Sequence, residues 1–595
     1  MDSAAVSVAP RAARMPQSLR VGLPYIVLFA LACALPLTGD DYWGVIATRA
    51  AIYWVLVSGL NLVVGFAGQL AIGWVSLLTL GAYTASVCVA REWLGPLPAL
   101  VAAAVAGAVF GVVVGLPALR LRTFYFAMTT LGFATIVTQV ALAWTDVTGG
   151  GIGVPGPVLP APLDTLWGFY LFCLALAALC TWMTLNIAAS RFGRALVAVR
   201  DAEVAAEATG ISKSALLITV FLFSGATAAV AGGLFATLQS YITPDAFTFD
   251  LSVLFFIAIL IGGRGSVLGP LLGTIILTVL PEFAAPLVAW STFLYAALLL
   301  VIVLAMPGGI ADLLDPRRRR ALHADRAIVP RPALLGELLA EDPHAPALHL
   351  RGVRLSFGAV RAIDDLDLDV APAQVHGLIG PNGSGKTTTL NAICGFARPQ
   401  RGEITMGGDA LASGAPQTRA ALGIARTFQT PRAIGEASVL ENVMIGGTIQ
   451  GHATFAESLL TLPRHRRDEA ALTAQAMLCL RVVGLEQLAG ARADRLQHSE
   501  LRFMEIARAL MLRPGFLLLD EPAAGLSVGE IERLGGLIRE ISRRGTGVLL
   551  VEHHADLIFD ICDHVTVLNL GRELAAGTPA EIRAHREVVS AYLGG

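Results

Sequence analysis

Val375-His-Gly-Leu-Ile379, followed without a break by Gly380-Pro-Asn-Gly-Ser-Gly-Lys-Thr387, decides how this chain is read. The first five residues predict a buried strand. The next eight satisfy the G-x-x-x-x-G-K-[ST] pattern of a phosphate-binding loop in its strand–loop–helix context. Glycines in such a loop let backbone N–H groups wrap phosphates, and the helix that follows offers its N-terminus to the anion. Lys386 is expected to reach the β and γ phosphates of ATP, and the Thr387 hydroxyl to ligate Mg²⁺. Gly380, Pro381, Asn382, Gly383, Ser384, Gly385, Lys386, Thr387 and Thr388 are therefore the candidate nucleotide-binding residues. Lysine is scarce: Lys213 and Lys386 are the only two among 43 basic residues, so Lys386 marks a place where arginine would not serve.

A second apolar strand, Phe516-Leu-Leu-Leu519, ends in Asp520-Glu521-Pro522. An acidic residue at the carboxyl end of a strand beside a phosphate loop can hold Mg²⁺. The next carboxylate can orient the attacking water, which is most of what phosphoryl transfer asks of a protein. Asp520 is the candidate metal ligand and Glu521 the candidate catalytic carboxylate. Gln429, in Arg426-Thr-Phe-Gln429, and His553, after Val551-Glu552, complete the set.

Working outward, the 595 residues suffice for two or three domains. A hydrophobic fraction of 55% with 15% charged residues, and a mean hydropathy of +0.67, are too apolar for a soluble enzyme of this size. The apolar residues lie unevenly. Between 21 and about 306, runs of roughly 20 apolar residues recur, each enough to cross a bilayer. From about 348 the chain reads as a soluble domain. The net charge of −2 gives no sign of nucleic-acid binding. The seven cysteines have no metal spacing and read as buried thiols.

Candidate spans are 21–38, 50–66, 70–90, 98–118, 124–144, 167–187, 214–238 and 284–305. The stretch 251–280 is broken at Gly262-Gly263-Arg264-Gly265 and counts as two short crossings, giving ten spans; eight remain if one upstream pair is re-entrant. Arg11, Arg14 and Arg20, then Arg120 and Arg122, then Arg191, Arg194, Arg200 and Lys213 mark cytoplasmic segments. The loops 145–166 and 239–250 lack Lys and Arg, as outside loops do, whereas Arg49 and Arg91 fall on predicted outside loops and oppose the scheme. No ionised residue is expected deep in a span. Residues 307–347 form a linker: Arg317 to Arg320 read as a stop-transfer cluster, and Pro330, Pro332, Pro343, Pro346 and Glu341-Asp342 suggest a mobile tether.

Together the soluble-half motifs resemble the ABC ATPase family over about 348–595. Gly380-Pro-Asn-Gly-Ser-Gly, Arg426-Thr-Phe-Gln429, Asp520-Glu-Pro-Ala-Ala-Gly-Leu526, Ile561-Cys-Asp563 and Ala591-Tyr-Leu593 look like the ATPase of branched-chain (hydrophobic) amino acid importers of the Liv type. By that resemblance Gln429 is the switch glutamine at the γ-phosphate and a Mg²⁺ ligand, and His553 the switch histidine. Phe357 stands where an aromatic stacks on adenine, with a core role equally open. The signature loop departs from the family: it reads Leu496-Gln-His-Ser-Glu500, and Ser527 replaces an expected Asp.

The apolar half resembles the permease of the same importers, through Asn61-Leu-Val-Val-Gly-Phe-Ala-Gly-Gln69, Gly81-Ala-Tyr-Thr84, Phe126-Ala-Met-Thr-Thr130, Thr148-Gly-Gly150 and Arg194-Ala-Leu-Val-Ala-Val-Arg-Asp201. Gly65, Gly68, Gly73 and Gly81 permit close helix contact. Asn61, Gln69, Ser76, Thr130 and Gln139 either line a substrate path or bond helix to helix. Segment 188–213 reads as a short amphipathic helix that docks into the ATPase cleft near Gln429.

The expected architecture is an all-α polytopic membrane domain of about 8–10 transmembrane helices followed by an α/β ABC ATPase with a helical subdomain. Its divisions are a cytoplasmic arm at 1–20, the permease at 21–306, the linker, and the ATPase at 348–595. The resemblance implies ATP-driven import of branched-chain or hydrophobic amino acids across the inner membrane. Implied partners are a second permease, a second ABC ATPase, a periplasmic substrate-binding protein and the lipid bilayer. Urea, amides or aromatic acids are alternative substrates, and a low-turnover regulatory membrane ATPase is an alternative class.

Overall fold

The computed structural model describes residues 17–121, 123–284, 328–339, 346–411 and 414–588, with scattered positions between 285 and 310. Arg11, Arg14, Arg122, most of the span at 284–305, Arg317–Arg320, Glu341-Asp342, Pro343 and Ala591–Leu593 lie outside them. The described residues form two compact units, one within 1–65, 70–184 and 220–313, the other within 66–69, 185–219 and 314–595.

Helices dominate the apolar half: α1 (Gln17–Cys33), α2 (Asp41–Asn61), α3 (Val75–Ala90), α4 (Pro96–Gly115), α5 (Thr123–Ala143), α6 (Leu166–Ala189), α7 (Arg191–Asp201), α8 (Glu203–Ala208), α9 (Lys213–Gln239), α10 (Phe249–Gly262) and α11 (Leu268–Ala284). Among the described residues six helical stretches are long and apolar enough to cross a membrane, and three apolar helices are shorter. Apart from one pair of two-residue strands, the described membrane domain is thus helical, with about six candidate spans by length and composition. The break at 262–265 is real: Gly263 has φ +102° and separates α10 from α11. These two helices pack backbone to backbone, since a Cβ on Gly269 would lie 1.8 Å from the Gly262 carbonyl oxygen.

The start of α2 departs from the expected span at 50–66. Asp40 accepts hydrogen bonds from Tyr42 N at 3.0 Å and Trp43 N at 3.4 Å, satisfying the first free N–H groups of the helix. That cap starts the helix at Asp41, nine residues early, so Arg49 lies inside it rather than on a loop. Its charge faces Glu282 at 3.9 Å, and both side chains remain partly exposed. The two loops free of Lys and Arg are brought together, because Val154–Pro155 pairs antiparallel with Tyr241–Ile242.

Close packing explains two of the glycines. A Cβ on Gly73 would meet the Thr130 carbonyl at 1.9 Å, and one on Gly81 the Ala229 carbonyl at 2.1 Å. The polar residues divide. Thr130 Oγ1 accepts from Gly73 N at 3.2 Å, and Asn61 Nδ2 donates to Ser266 O at 2.9 Å. Both bond one segment to another. Ser76 Oγ donates to its own helix entry at Gly73 O, 2.7 Å away, and Gln139 is exposed.

In the second unit, β1 (Leu348–Phe357), β2 (Val360–Val370) and β4 (Arg401–Met406) form an antiparallel sheet in the order β2-β1-β4. The larger sheet uses β3 (Val375–Ile379), β5 (Ile424–Arg426), β6 (Phe516–Asp520), β7 (Gly547–Val551), β8 (His564–Asn569) and β9 (Arg572–Gly577), in the order β9-β8-β3-β7-β6-β5. All neighbours are parallel except β9. Strands β3, β6 and β7 are buried at every residue, as strands covered on both faces must be. Helices α12 (Lys386–Ile393), α13 (Val439–Ile445), α14 (Pro463–Val483), α15 (His498–Leu510) and α16 (Val528–Arg543) complete the domain.

The described part of the linker is no free tether. Ile328, Leu335, Leu338 and Leu339 are buried in the same apolar cluster as Leu480 and Val483 of α14 and Leu537 and Ile541 of α16. Arg331 N donates to Val482 O at 2.7 Å, and its guanidinium pairs with Glu486 at 2.9 Å. Prolines there stiffen a strap whose leucines supply the attachment.

Candidate functional site

The phosphate loop leaves β3 and enters α12. Gly380 (φ +147°) and Gly385 (φ +106°) hold conformations closed to other residues. Side chains there would also strike the Leu568 and Ala362 carbonyl oxygens, at 2.2 and 2.4 Å. Lys386 is buried, and its Nζ donates to Gly380 O at 2.7 Å and Pro381 O at 3.0 Å. Burial lowers its pKa, opposed by the charges of Glu521 and Asp520. Thr387 is exposed beside it, Thr388 half-buried.

Strand order brings the acidic pair to this loop. Strand β7 separates β3 from β6, and Glu521 N donates to Val551 O at 2.8 Å. Glu521 holds a left-handed φ of +49°, a backbone strain of the kind that collects at functional sites. Its carboxylate draws two expected residues together: Oε2 accepts from Gln429 Nε2 at 2.8 Å, and Oε1 lies 3.0 Å from His553 Nε2. Three residues spread over 125 positions of sequence thus converge on one carboxylate.

Asp520 is 2% exposed. Its Oδ2 accepts from Arg426 Nη2 at 3.0 Å, while Oδ1 is buried without a hydrogen-bond partner. Burial raises its pKa and Arg426 opposes that rise. The free oxygen, with the Thr387 hydroxyl and the Gln429 amide oxygen, is an all-oxygen donor set of the type Mg²⁺ takes. Among the described residues no cluster of three His, Cys, Asp or Glu side chains could hold a metal alone. Phosphate oxygens of a bound nucleotide would add to these protein donors, as they do for Mg²⁺ in nucleotide sites. Phe357 is 58% exposed at the end of β1, which removes its core reading.

Sequence reasoning missed several supports. Arg426 is quoted only as part of a motif, yet it also bonds Asn391 Oδ1 of α12 at 2.5 Å. Buried Glu552 accepts from Ala523 N at 2.6 Å, fixing the turn after Glu521. Arg502 Nη1 donates to Phe428 O at 2.9 Å, holding the loop after β5 that carries Gln429. Only the strand order places these residues together, so spacing alone carried no signal of them.

At the altered signature, Gln497 caps α15 through a reciprocal capping box with Glu500. His498 Nε2 lies 3.0 Å from Ala524 O. Ser527 is occupied as the cap of α16, its Oγ donating to Glu530 at 2.8 Å. The 188–213 segment forms α7 and α8 within the ATPase unit. Ala202, Ala205 and Ala208 are buried with Phe428. Arg194 pairs with Glu469 at 2.8 Å, Arg200 with Glu436 at 3.1 Å, and Arg191 Nη1 donates to Thr448 O at 2.8 Å. The docking surface thus reaches Phe428, next to Gln429.

A phosphate loop, an adjoining Asp-Glu pair and a glutamine and a histidine on one carboxylate define an ATP-binding cassette, here on a chain with a helical membrane domain. Family models agree with each part. One described as the branched-chain amino acid transport system permease component matches residues 44–306. An ABC transporter model matches 363–524, and a branched-chain amino acid ATP-binding cassette transporter model matches 572–595. The high-affinity branched-chain amino acid transport ATP-binding protein BraF of Pseudomonas aeruginosa is 38% identical over 250 residues, 42% of this chain and 98% of its own length. The corresponding LivG of Escherichia coli K12 is 37% identical with the same coverage. A solved nucleotide-free ATP-binding cassette from an ABC transporter is 30% identical, spans 42% of this chain and all of its own, and has a TM-score of 0.38. The chain belongs to the branched-chain amino acid ABC transporter family, as a permease and an ATPase fused in one polypeptide. It is a multi-pass membrane protein with a cytoplasmic, nucleotide-binding ATPase that couples ATP hydrolysis to transport.

Proposed function

We propose that the chain imports branched-chain or related hydrophobic amino acids across the inner membrane, with an arm at 1–20, the permease at 21–306, the linker at 307–347 and the ATPase at 348–595. The observation that carries the ATP-driven reading is the convergence of Gln429 and His553 on Glu521 beside the phosphate loop. Residues 380–388 bind the phosphates, with Lys386 turning from its loop carbonyls toward them, and Phe357 stacks on the adenine. Glu521 orients the attacking water and accepts its proton, while Gln429 and His553 hold the carboxylate in place and sense the γ-phosphate. Thr387, Asp520 and Gln429 would hold Mg²⁺, which when bound neutralises charge developing on the phosphates.

The loop at 496–500 lacks the serine and glycine that would close a partner's site. The chain therefore works with a second ATPase that supplies a full signature, a second permease and a periplasmic binding protein. The test is ATP hydrolysis by the purified chain in lipid, alone and with those partners and a ligand such as leucine. Stimulation by the loaded binding protein supports the reading; hydrolysis indifferent to every partner and ligand overturns it. Glu521→Gln should keep ATP binding while hydrolysis falls by about a hundredfold or more, the contribution expected of a general base.

A further inference from the structure

The Arg426 guanidinium sits where three functional elements meet. It is buried and bonds Asp520 Oδ2 at 3.0 Å and Asn391 Oδ1 on the helix of the phosphate loop at 2.5 Å. On its other side its guanidinium carbon lies 5.2 Å from the centre of the Phe428 ring, within range of a cation–π contact. Phe428 belongs in turn to the small cluster formed with Ala202, Ala205 and Ala208, against which Phe396 also packs. An unbroken line of contact therefore runs from the docked segment, through one ring and one guanidinium, to the carboxylate beside the phosphates.

We propose that Arg426 is a positioning residue that ties the docking of residues 202–208 to the orientation of Asp520. The proposal rests on reading Asp520 as a Mg²⁺ ligand. Two features give the line its force. Both carboxylate oxygens of Asp520 are buried, but only Oδ2 is held, by Arg426, so the guanidinium alone determines which way the free Oδ1 points. The three facing residues of the segment are all alanines, so the ring of Phe428 lies close against the α8 backbone, and its position follows the depth at which α8 docks. A shift of α8 that moves Phe428 moves the cation packed on its ring, because close-packed groups move between discrete arrangements rather than deforming smoothly.

The experiment uses the full chain in lipid nanodiscs and measures Mn²⁺ binding in the presence of ATP by electron paramagnetic resonance, with Mg²⁺-dependent hydrolysis as a second readout. Ala205→Leu and Phe428→Leu should each weaken metal binding by about fivefold, an estimate within the range of couplings carried through packed side chains. In an Arg426→Gln background the same changes should add less than twofold, and Arg426→Lys should restore part of the coupling. Independent effects that multiply in the double variants overturn the proposal. Asp520→Asn is measured in parallel. If it leaves metal binding unchanged, the reading of Asp520 has failed instead; if it abolishes binding while Arg426→Gln changes nothing, only the relay has failed. Thermal unfolding of each variant identifies any that simply do not fold.

Discussion

At the residue scale, Arg426 and Asp520, with side chains 4% and 2% exposed, form an ion pair buried on both sides. Removing one partner of such a pair leaves an uncompensated charge and costs about 3–5 kcal/mol. Arg426→Met should therefore lower the unfolding temperature of the ATPase measurably by calorimetry, and Asp520→Asn should lower it as well, because it leaves the buried Arg426 cation, which cannot shed its charge, without a counter-ion. His376 gives a second, pH-dependent expectation. Burial and the neighbouring His564 push its pKa down to about 4. Its ring nitrogen Nε2 lies 2.9 Å from Thr566 Oγ1. An unfolded chain takes up that proton near pH 6.5, so the folded state loses stability as pH falls from about 6.5 to 4 and keeps it in full above that window. His376→Gln should flatten this slope in unfolding temperatures measured across the same range. A slope identical to that of the unsubstituted chain would show that another group causes it.

At the element scale, the strap at 328–339 joins α14 to α16 through buried leucines. Leu335 is fully buried, so Leu335→Ala should destabilise the ATPase by about 2–5 kcal/mol, the usual range for such a truncation. The denaturant midpoint of the full chain's ATPase transition checks it, and an unchanged midpoint would make the strap a passive passenger. The docked α7 makes a different expectation. Arg194 and Glu469 form a half-buried pair at 2.8 Å, with Glu469 Oε1 also accepting from Arg191 N at 2.7 Å. Arg194→Glu or Glu469→Arg should uncouple hydrolysis from ligand, and the double reversal should recover part of the coupling. Legibility differed sharply between these two elements. Arg194, Arg200, Asp201, Glu203 and Glu207 set among alanines in 188–213 announced a docking helix. The strap was hidden because Pro330 and Pro332 read as breaks in the chain, while its four buried anchors, Ile328, Leu335, Leu338 and Leu339, make too short an apolar run to announce an element.

For the whole molecule, fusion places a permease and an ATPase at one-to-one stoichiometry in a single chain, and the altered 496–500 loop gives that arrangement an asymmetry. His498 is turned back to Ala524 O of its own chain, and Gln497 and Glu500 bond each other in the cap of α15. Co-expression with a family ATPase that retains its signature should raise hydrolysis well above that of the chain alone. Restoring serine and glycine at 497 and 499 should make the chain less dependent on that partner. If the restored chain and the original hydrolyse equally, the 496–500 loop is not what sets the requirement.

The sequence by itself determined the two halves, the phosphate loop and the identity of Asp520, Glu521, Gln429 and His553. Such features are local: a span is a run of apolar residues, and a loop that wraps phosphate needs glycines at fixed spacing. Tertiary structure alone decided where α2 begins, that the linker is strapped down, and that Arg426 holds Asp520. Each depends on partners far apart in the chain: a guanidinium at the end of β5 meets a carboxylate at the end of β6 only because parallel strands place their ends side by side. Even the phosphate loop, legible at the outset, acquires its acidic neighbours from the order of strands β3, β7 and β6, which no spacing of residues encodes.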